Sequence, residues 1–180
     1  MKFKRINVIG TSGSGKSTFS KQLASALNAP YLEMDAIYWK PNWVEPDDVQ
    51  YFSDLKSALD CDAWVLDGNY SRTAAIKWKS VDTIIWLDYG FIRTFWQVIK
   101  RSITRAISRK EIWKGTGNKE SFRRSFCSKK SVILWMLQNY HSNKRKYLAL
   151  MSSEKLNDIQ FYRIRSLKEA EYFLQNINGH

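Results

Sequence analysis

The run Gly10-Thr11-Ser12-Gly13-Ser14-Gly15-Lys16-Ser17 constrains the architecture of this chain more than any other stretch. Ahead of it lies a strand-like opening with Ile6, Val8 and Ile9 apolar; behind it Phe19, Leu23, Ala24 and Leu27 recur at helical spacing. Glycines in such a turn let main-chain N–H groups approach anionic oxygens with no side chain in the way. Lys16 has the reach for the outer phosphates of a nucleotide, and the Ser17 hydroxyl suits Mg²⁺. The helix that follows points the positive end of its dipole at the same place. Strand, glycine-rich turn and helix together predict a polyphosphate cradle lined by Gly10, Thr11, Ser12, Gly13, Ser14, Gly15, Lys16, Ser17 and Thr18.

The rest of the chain repeats that alternation. After the break at Asn28-Ala29-Pro30, residues 31–34 read as a strand closing on Asp35. Residues 36–44 are aromatic and irregular, and Pro46 suits the first turn of a helix running to about residue 59. Further strands are expected over 64–66, closing on Asp67-Gly68, over 81–87, closing on Asp88, and over 159–164. Helices are expected over 91–109, 129–150 and 167–177, with a glycine-bearing loop or lid over 110–125. Helices between strands imply parallel pairing and right-handed crossovers, hence an α/β layer sandwich. The 180 residues fit one domain.

In an open parallel sheet, ligands gather beyond the carboxyl ends of the strands, so Asp35, Asp67 and Asp88 should converge near the cradle. Asp67 ends an apolar strand as a Walker B acid does and would hold Mg²⁺ together with Ser17. Asp35 stands beside the aromatic loop, where it would orient or deprotonate an acceptor hydroxyl, or share the metal. Asp88 carries the weakest functional signal, because strand-to-helix turns often use Asp. Arg101, Arg105 and Arg109 recur every fourth residue and so share one helix face, with Arg101 and Arg105 as expected phosphate clamps. Arg123 and Arg124 lie beyond the glycines. Arg72 is placed to bind an anionic acceptor. Tyr38, Trp39 and Trp43 would either stack on a planar substrate or floor a small insert.

The net charge of +12 is concentrated: residues 101–150 hold 13 Lys/Arg against 2 Asp/Glu. That segment seeks polyanions, whether nucleotide, phosphorylated substrate or nucleic acid. No apolar run approaches the length of a membrane span, so no membrane partner is expected. The isolated Cys61 and Cys127 read as free thiols of a reducing, cytoplasmic protein.

Taken together, Gly10 to Thr18, Asp35-Ala36-Ile37-Tyr38-Trp39 with Pro41-Asn42-Trp43, and Leu66-Asp67-Gly68-Asn69-Tyr70 resemble the P-loop kinases related to adenylate kinase. Adding Trp86-Leu87-Asp88, Lys110-Glu111-Ile112-Trp113, Gly117-Asn118-Lys119-Glu120-Ser121 and Arg163-Ile164-Arg165-Ser166, the likeness extends to the bacterial topology modulation proteins within that group. The resemblance implies a three-layer fold around a five-stranded parallel sheet of order 2-3-1-4-5. It also implies ATP and Mg²⁺ as ligands, an acceptor-binding insert over 36–62 and a basic lid over 110–125. The insert departs from the adenylate kinase pattern: no arginine lies between Arg5 and Arg72 to grip a monophosphate. Two functions follow. One is a small-molecule kinase, monomer or homodimer, with catalytic Lys16, Asp35, Arg101 and Arg105. The other is a nucleic-acid-associated ATPase affecting DNA topology, which would use residues 101–150 as a basic surface. A switch GTPase is disfavoured because Asn118-Lys119-Glu120-Ser121 lacks the aspartate of the guanine-reading motif.

Overall fold

Five strands, β1 (Arg5–Gly10), β2 (Tyr31–Glu33), β3 (Trp64–Asp67), β4 (Thr83–Leu87) and β5 (Gln160–Ile164), pair in parallel in the order β2-β3-β1-β4-β5. This is the expected 2-3-1-4-5 sheet. The computed structural model describes residues 3–126, 128, 131–156 and 158–177, with the side chains of residues 124 and 155 excepted. The helices are α1 (Lys16–Ala26), α2 (Met34–Tyr38), α3 (Asp48–Ala58), α4 (Ala74–Lys77), α5 (Phe91–Ser108), α6 (Phe122–Phe126), α7 (Val132–Met151) and α8 (Leu167–Asn176).

Alternation along the strands divides the core in two. Val8, Val65 and Ile85 face a cluster built with Phe19 and Leu23 of α1 and Ala170 of α8. Their neighbours Ile9, Trp64, Leu66, Ile84 and Trp86 face the other side, where Tyr51 and Leu55 of α3 and Tyr147 of α7 cover them. Burial on both faces gives three layers, and it explains why these strands read as nearly continuous apolar runs. Register aligns the carboxyl ends: Val8 stands opposite Asp67, Glu33 opposite Asp67, and Gly10 opposite Leu87. The expected strand-end residues therefore emerge at one edge.

Local departures have local causes. Met34 and Asp35 do not extend β2; they open α2, with Glu33 as its extended N-cap, so Asp35 is presented from a helical turn. Five residues are too few for a 3.6-residue period to register in the sequence. The helix at α4 was likewise invisible. Ser108 ends α5, and Arg109 takes a left-handed conformation with φ +47°, which removes it from the arginine row on the helix. The lid region is not wholly irregular: Glu111 bridges Lys119, and α6 follows. Residues 129 and 130, expected to begin the next helix, lie outside the described residues, as does Cys127; Cys61 is a free, exposed thiol.

Candidate functional site

The glycine-rich turn is shaped by backbone that only glycine adopts readily, with φ +85° at Gly13 and +84° at Gly15. At Gly13 the restriction is also steric, since a Cβ there would lie 2.7 Å from the Thr94 carbonyl oxygen and 2.9 Å from Val98 Cβ, both on α5. The cradle is thus pressed against the helix that carries Arg101. Lys16 Nζ donates to the Thr11 carbonyl at 3.2 Å, and Arg101 Nη2 donates to Ser12 Oγ at 3.2 Å. Ser17 is half-buried in the first turn of α1, and Thr18 is exposed.

Acidic groups face this basic pair. Asp67, buried at the end of β3, accepts from the Tyr31 hydroxyl at 3.2 Å, and the same hydroxyl donates to Glu33 at 3.1 Å. Trp113 of the lid donates its indole N–H to the other Glu33 oxygen at 3.1 Å. Asp35 accepts from the Tyr70 hydroxyl at 2.8 Å. Its side chain still meets solvent, yet protein crowds the carboxylate. That desolvation, aided by the charge on Asp67, lifts its pKa against the opposing hydrogen bond from Tyr70. Desolvation also raises Glu33. Burial lowers the Lys16 amine while Asp67 and then Asp35 pull it back up, and burial followed by Arg105 lowers Arg101. Lys16 and Arg101 thus bond to the glycine-rich turn, while Asp67 ends β3 and Asp35 follows β2 at the same edge of the sheet.

Two buried donors at the cradle, Ser14 Oγ and Arg101 Nε, have no hydrogen-bond partner among the described residues. Unused donors beside a glycine-rich turn fit an anionic ligand. Among the described residues there is no cluster of three or more His, Cys, Asp or Glu able to hold a metal ion. Ser17 and Asp67 thus offer a hydroxyl and one carboxylate, a donor set that suits Mg²⁺ only when phosphate oxygens and water complete the shell.

The other expected site residues have partners of their own within the fold. Arg105 Nη1 lies 4.0 Å from Glu120 of the lid. Arg72 is paired with Asp48 of α3 at 2.8 Å, and its guanidinium rests over the Tyr38 ring at 5.0 Å and the Tyr51 ring at 5.4 Å. Tyr38 is buried, donates to Glu45 at 3.0 Å and packs edge-on against Trp39 and Tyr51, so it builds floor. Trp39 is half-buried and stands edge-on to Trp43, which in turn meets Trp113. Asp88 does not join the cleft unit; it holds Arg163 Nε at 2.9 Å and Lys144 at 3.6 Å, tying β4 to β5 and α7. Arg123 lies exposed on α6, and the Arg124 side chain is outside the described residues.

Sequence reasoning missed Glu33, Tyr31, Tyr70 and Asn118. Asn118 is fully buried: its Nδ2 donates to the Lys40 carbonyl at 3.0 Å and its Oδ1 accepts from Trp43 N–H at 2.8 Å. A third bond, Asn42 N–H to the Thr116 carbonyl at 3.4 Å, completes a latch between the glycine-bearing loop expected to be a lid and the aromatic segment. An Asn between glycine and lysine in a polar loop carries no signal of this, because its partners lie more than seventy residues away.

No family model matches the chain, and no curated protein matches it. Solved structures do. A shikimate kinase from Bacteroides thetaiotaomicron superposes with a TM-score of 0.57 at 13% identity, covering 98% of this chain and 97% of that one. The chain has the fold of a small P-loop kinase. A sugar kinase from Janibacter sp. HTCC2649 (TM-score 0.52, 13% identity, 99% and 94% covered) and a gluconokinase from Sinorhizobium meliloti 1021 (0.51, 14%, 98% and 95%) share it. At such identities the likeness establishes architecture.

Proposed function

We propose that this chain is an ATP- and Mg²⁺-dependent phosphotransferase that moves the γ-phosphoryl group to a hydroxyl of a small-molecule acceptor. The observation that carries the reading is that Lys16 and Arg101 both bond to the glycine-rich turn while the strand-end carboxylates Asp67 and Asp35 emerge at the same sheet edge. Main-chain amides of residues 10–17 and the Lys16 ammonium would hold the β- and γ-phosphates, and Arg101, with an unused Nε donor, would neutralise charge that spreads onto the equatorial oxygens. Ser17 and Asp67 would hold a Mg²⁺ ion, which would supply charge neutralisation for the phosphates. Asp35 would take the proton of the acceptor hydroxyl as the new O–P bond forms and the bond to the ADP oxygen breaks. Its carboxylate is held in place by Tyr70 and is more basic than an ordinary aspartate. Trp39, Arg72 and the Tyr38 floor bound the acceptor side, and the latched lid would exclude water that otherwise hydrolyses ATP.

The tryptophan-bearing runs support placement near the topology modulation proteins. The acceptors named for the fold neighbours, shikimate, sugars and gluconate, are hydroxylated small molecules, and they make the first panel. The test is ADP release from ATP–Mg²⁺ with shikimate, gluconate, neutral sugars, nucleosides and nucleoside monophosphates. Transfer to one acceptor class is expected, falling by about 10²–10⁴ in Asp35→Asn with ATP binding kept. Turnover that no acceptor raises would refute the transferase reading.

A further inference from the structure

Helix α5 carries apolar side chains on two sides. On the inner side Thr94, Val98, Ser102 and Ala106 are buried, Phe91 and Phe95 pack with Val98 against Met136 and Tyr140 of α7, and the glycine-rich turn abuts Thr94 and Val98. Four more large apolar side chains face outward: Ile92 is 72% exposed, Trp96 63%, Ile103 37% and Ile107 68%. Offsets of four, seven and four residues put all of them on one stripe, about 22 Å long at 1.5 Å per residue. Phe122 and Phe126 of α6, which packs against α5, are exposed as well. An ordinary surface helix buries such a stripe. The stripe lies across the helix from Arg101 and Arg105, so the cleft does not account for it.

Charge narrows what can cover this face. Exposed Arg93 and Lys100, seven residues apart, flank the stripe on one side, and neither α5, α6 nor α7 contains a single Asp or Glu. A second copy would bring two acid-free helices together. Apolar side chains with an indole among them, bordered by cations and free of acids, match the chemistry of helices that lie in the headgroup layer. We propose that α5 docks the protein on an anionic lipid surface, with Trp96, Ile103 and Ile107 entering the interface and Arg93 and Lys100 meeting lipid phosphates. This differs from spanning a bilayer, since among the described residues no helix is long and apolar enough to cross one.

The test is co-sedimentation of the full chain with phosphatidylcholine vesicles, with and without phosphatidylserine. Binding is expected only with phosphatidylserine, weakening as salt rises. Trp96→Glu combined with Ile103→Glu should abolish it. Lys100→Glu, a change of two charge units, should weaken it by about 25-fold at about fivefold per charge. Both variants alter exposed positions outside the cleft, so circular dichroism and ADP release in solution should match the wild type. The proposal is overturned by no binding, by equal binding to neutral vesicles, or by binding that survives both variants. Stripe-dependent dimerisation without lipid, or stripe-dependent retention on nucleic acid or an acidic peptide, would overturn it too.

Discussion

Replacing Asn118 by Ala removes two hydrogen bonds that join the lid to the aromatic segment and leaves Trp43 N–H and the Lys40 carbonyl without them. A buried polar group deprived of its partner costs about 1–3 kcal/mol. Both backbone groups are only partly buried, so the low end applies and the closed lid loses about 2 kcal/mol. At 1.4 kcal/mol per factor of ten, the open population rises about 30-fold. Opening the lid rehydrates both groups, which caps the effect on global stability at the free energy of opening. The substitution should therefore uncouple two readouts. Hydrogen exchange at the Asn42 amide, bonded to Thr116 and untouched by the change, should quicken about 30-fold, while the midpoint of urea unfolding barely moves. ATP hydrolysis without acceptor should rise as water gains access. An Asn42 amide as protected as in the wild type would refute the latch. So would a fall in global stability that moves Asn42 and the core amides together, for Asn118 would then be a core residue.

Three further outcomes are expected. Crowding holds Asp35 above the ordinary aspartate value of about 3.9, so kcat/KM should climb with pH through a pKa above that figure; an acid limb at or below it would refute the base assignment. Gly13→Ala meets a left-handed φ and the Thr94 carbonyl at once, costs at least about 1–2 kcal/mol and should abolish ATP binding in calorimetry; wild-type affinity would contradict the packing. Lys77 is 1% exposed, and burial, together with Lys146, pushes its amine down to about 7. The unfolded chain keeps its lysine near 10.4, so between the two values it binds more protons than the folded chain. Stability therefore climbs with pH across that window and is lowest below it. Lys77→Met should raise stability at pH near 6 by a few kcal/mol and by much less near 10; urea melts showing equal gains at both would refute the assignment.

What the chain announced in advance was whatever rests on local rules. The glycines mark a turn lined by backbone, apolar runs such as 64–66 mark buried strands, and Asp35, Asp67 and Asp88 share one edge of the sheet because parallel strands point the same way. The sheet order came from resemblance, and the structure bears it out. The unseen part was long-range. Asp88 looks like Asp67 in sequence, yet a guanidinium arriving on β5 turns it into a structural clamp. Arg72 meets an acid on α3 and two tyrosine rings that only folding assembles. Glu33 is fixed beside Asp67 by the Tyr31 hydroxyl and by the indole of Trp113, which arrives from 80 residues away. The period of α5 identifies apolar positions but not which of them face inward, and there the partners on α7 and the turn at Gly13 decide.

That same contact at Gly13 ties the turn to α5. Lys16 donates to the Thr11 carbonyl and Arg101 to Ser12, so each cation rests on the turn through a bond that an incoming phosphate would have to replace. Under the proposed function, donor capture would exchange two internal hydrogen bonds for charge-assisted ones on a backbone already in shape, and substitutions in the 36–44 segment would act on the acceptor instead.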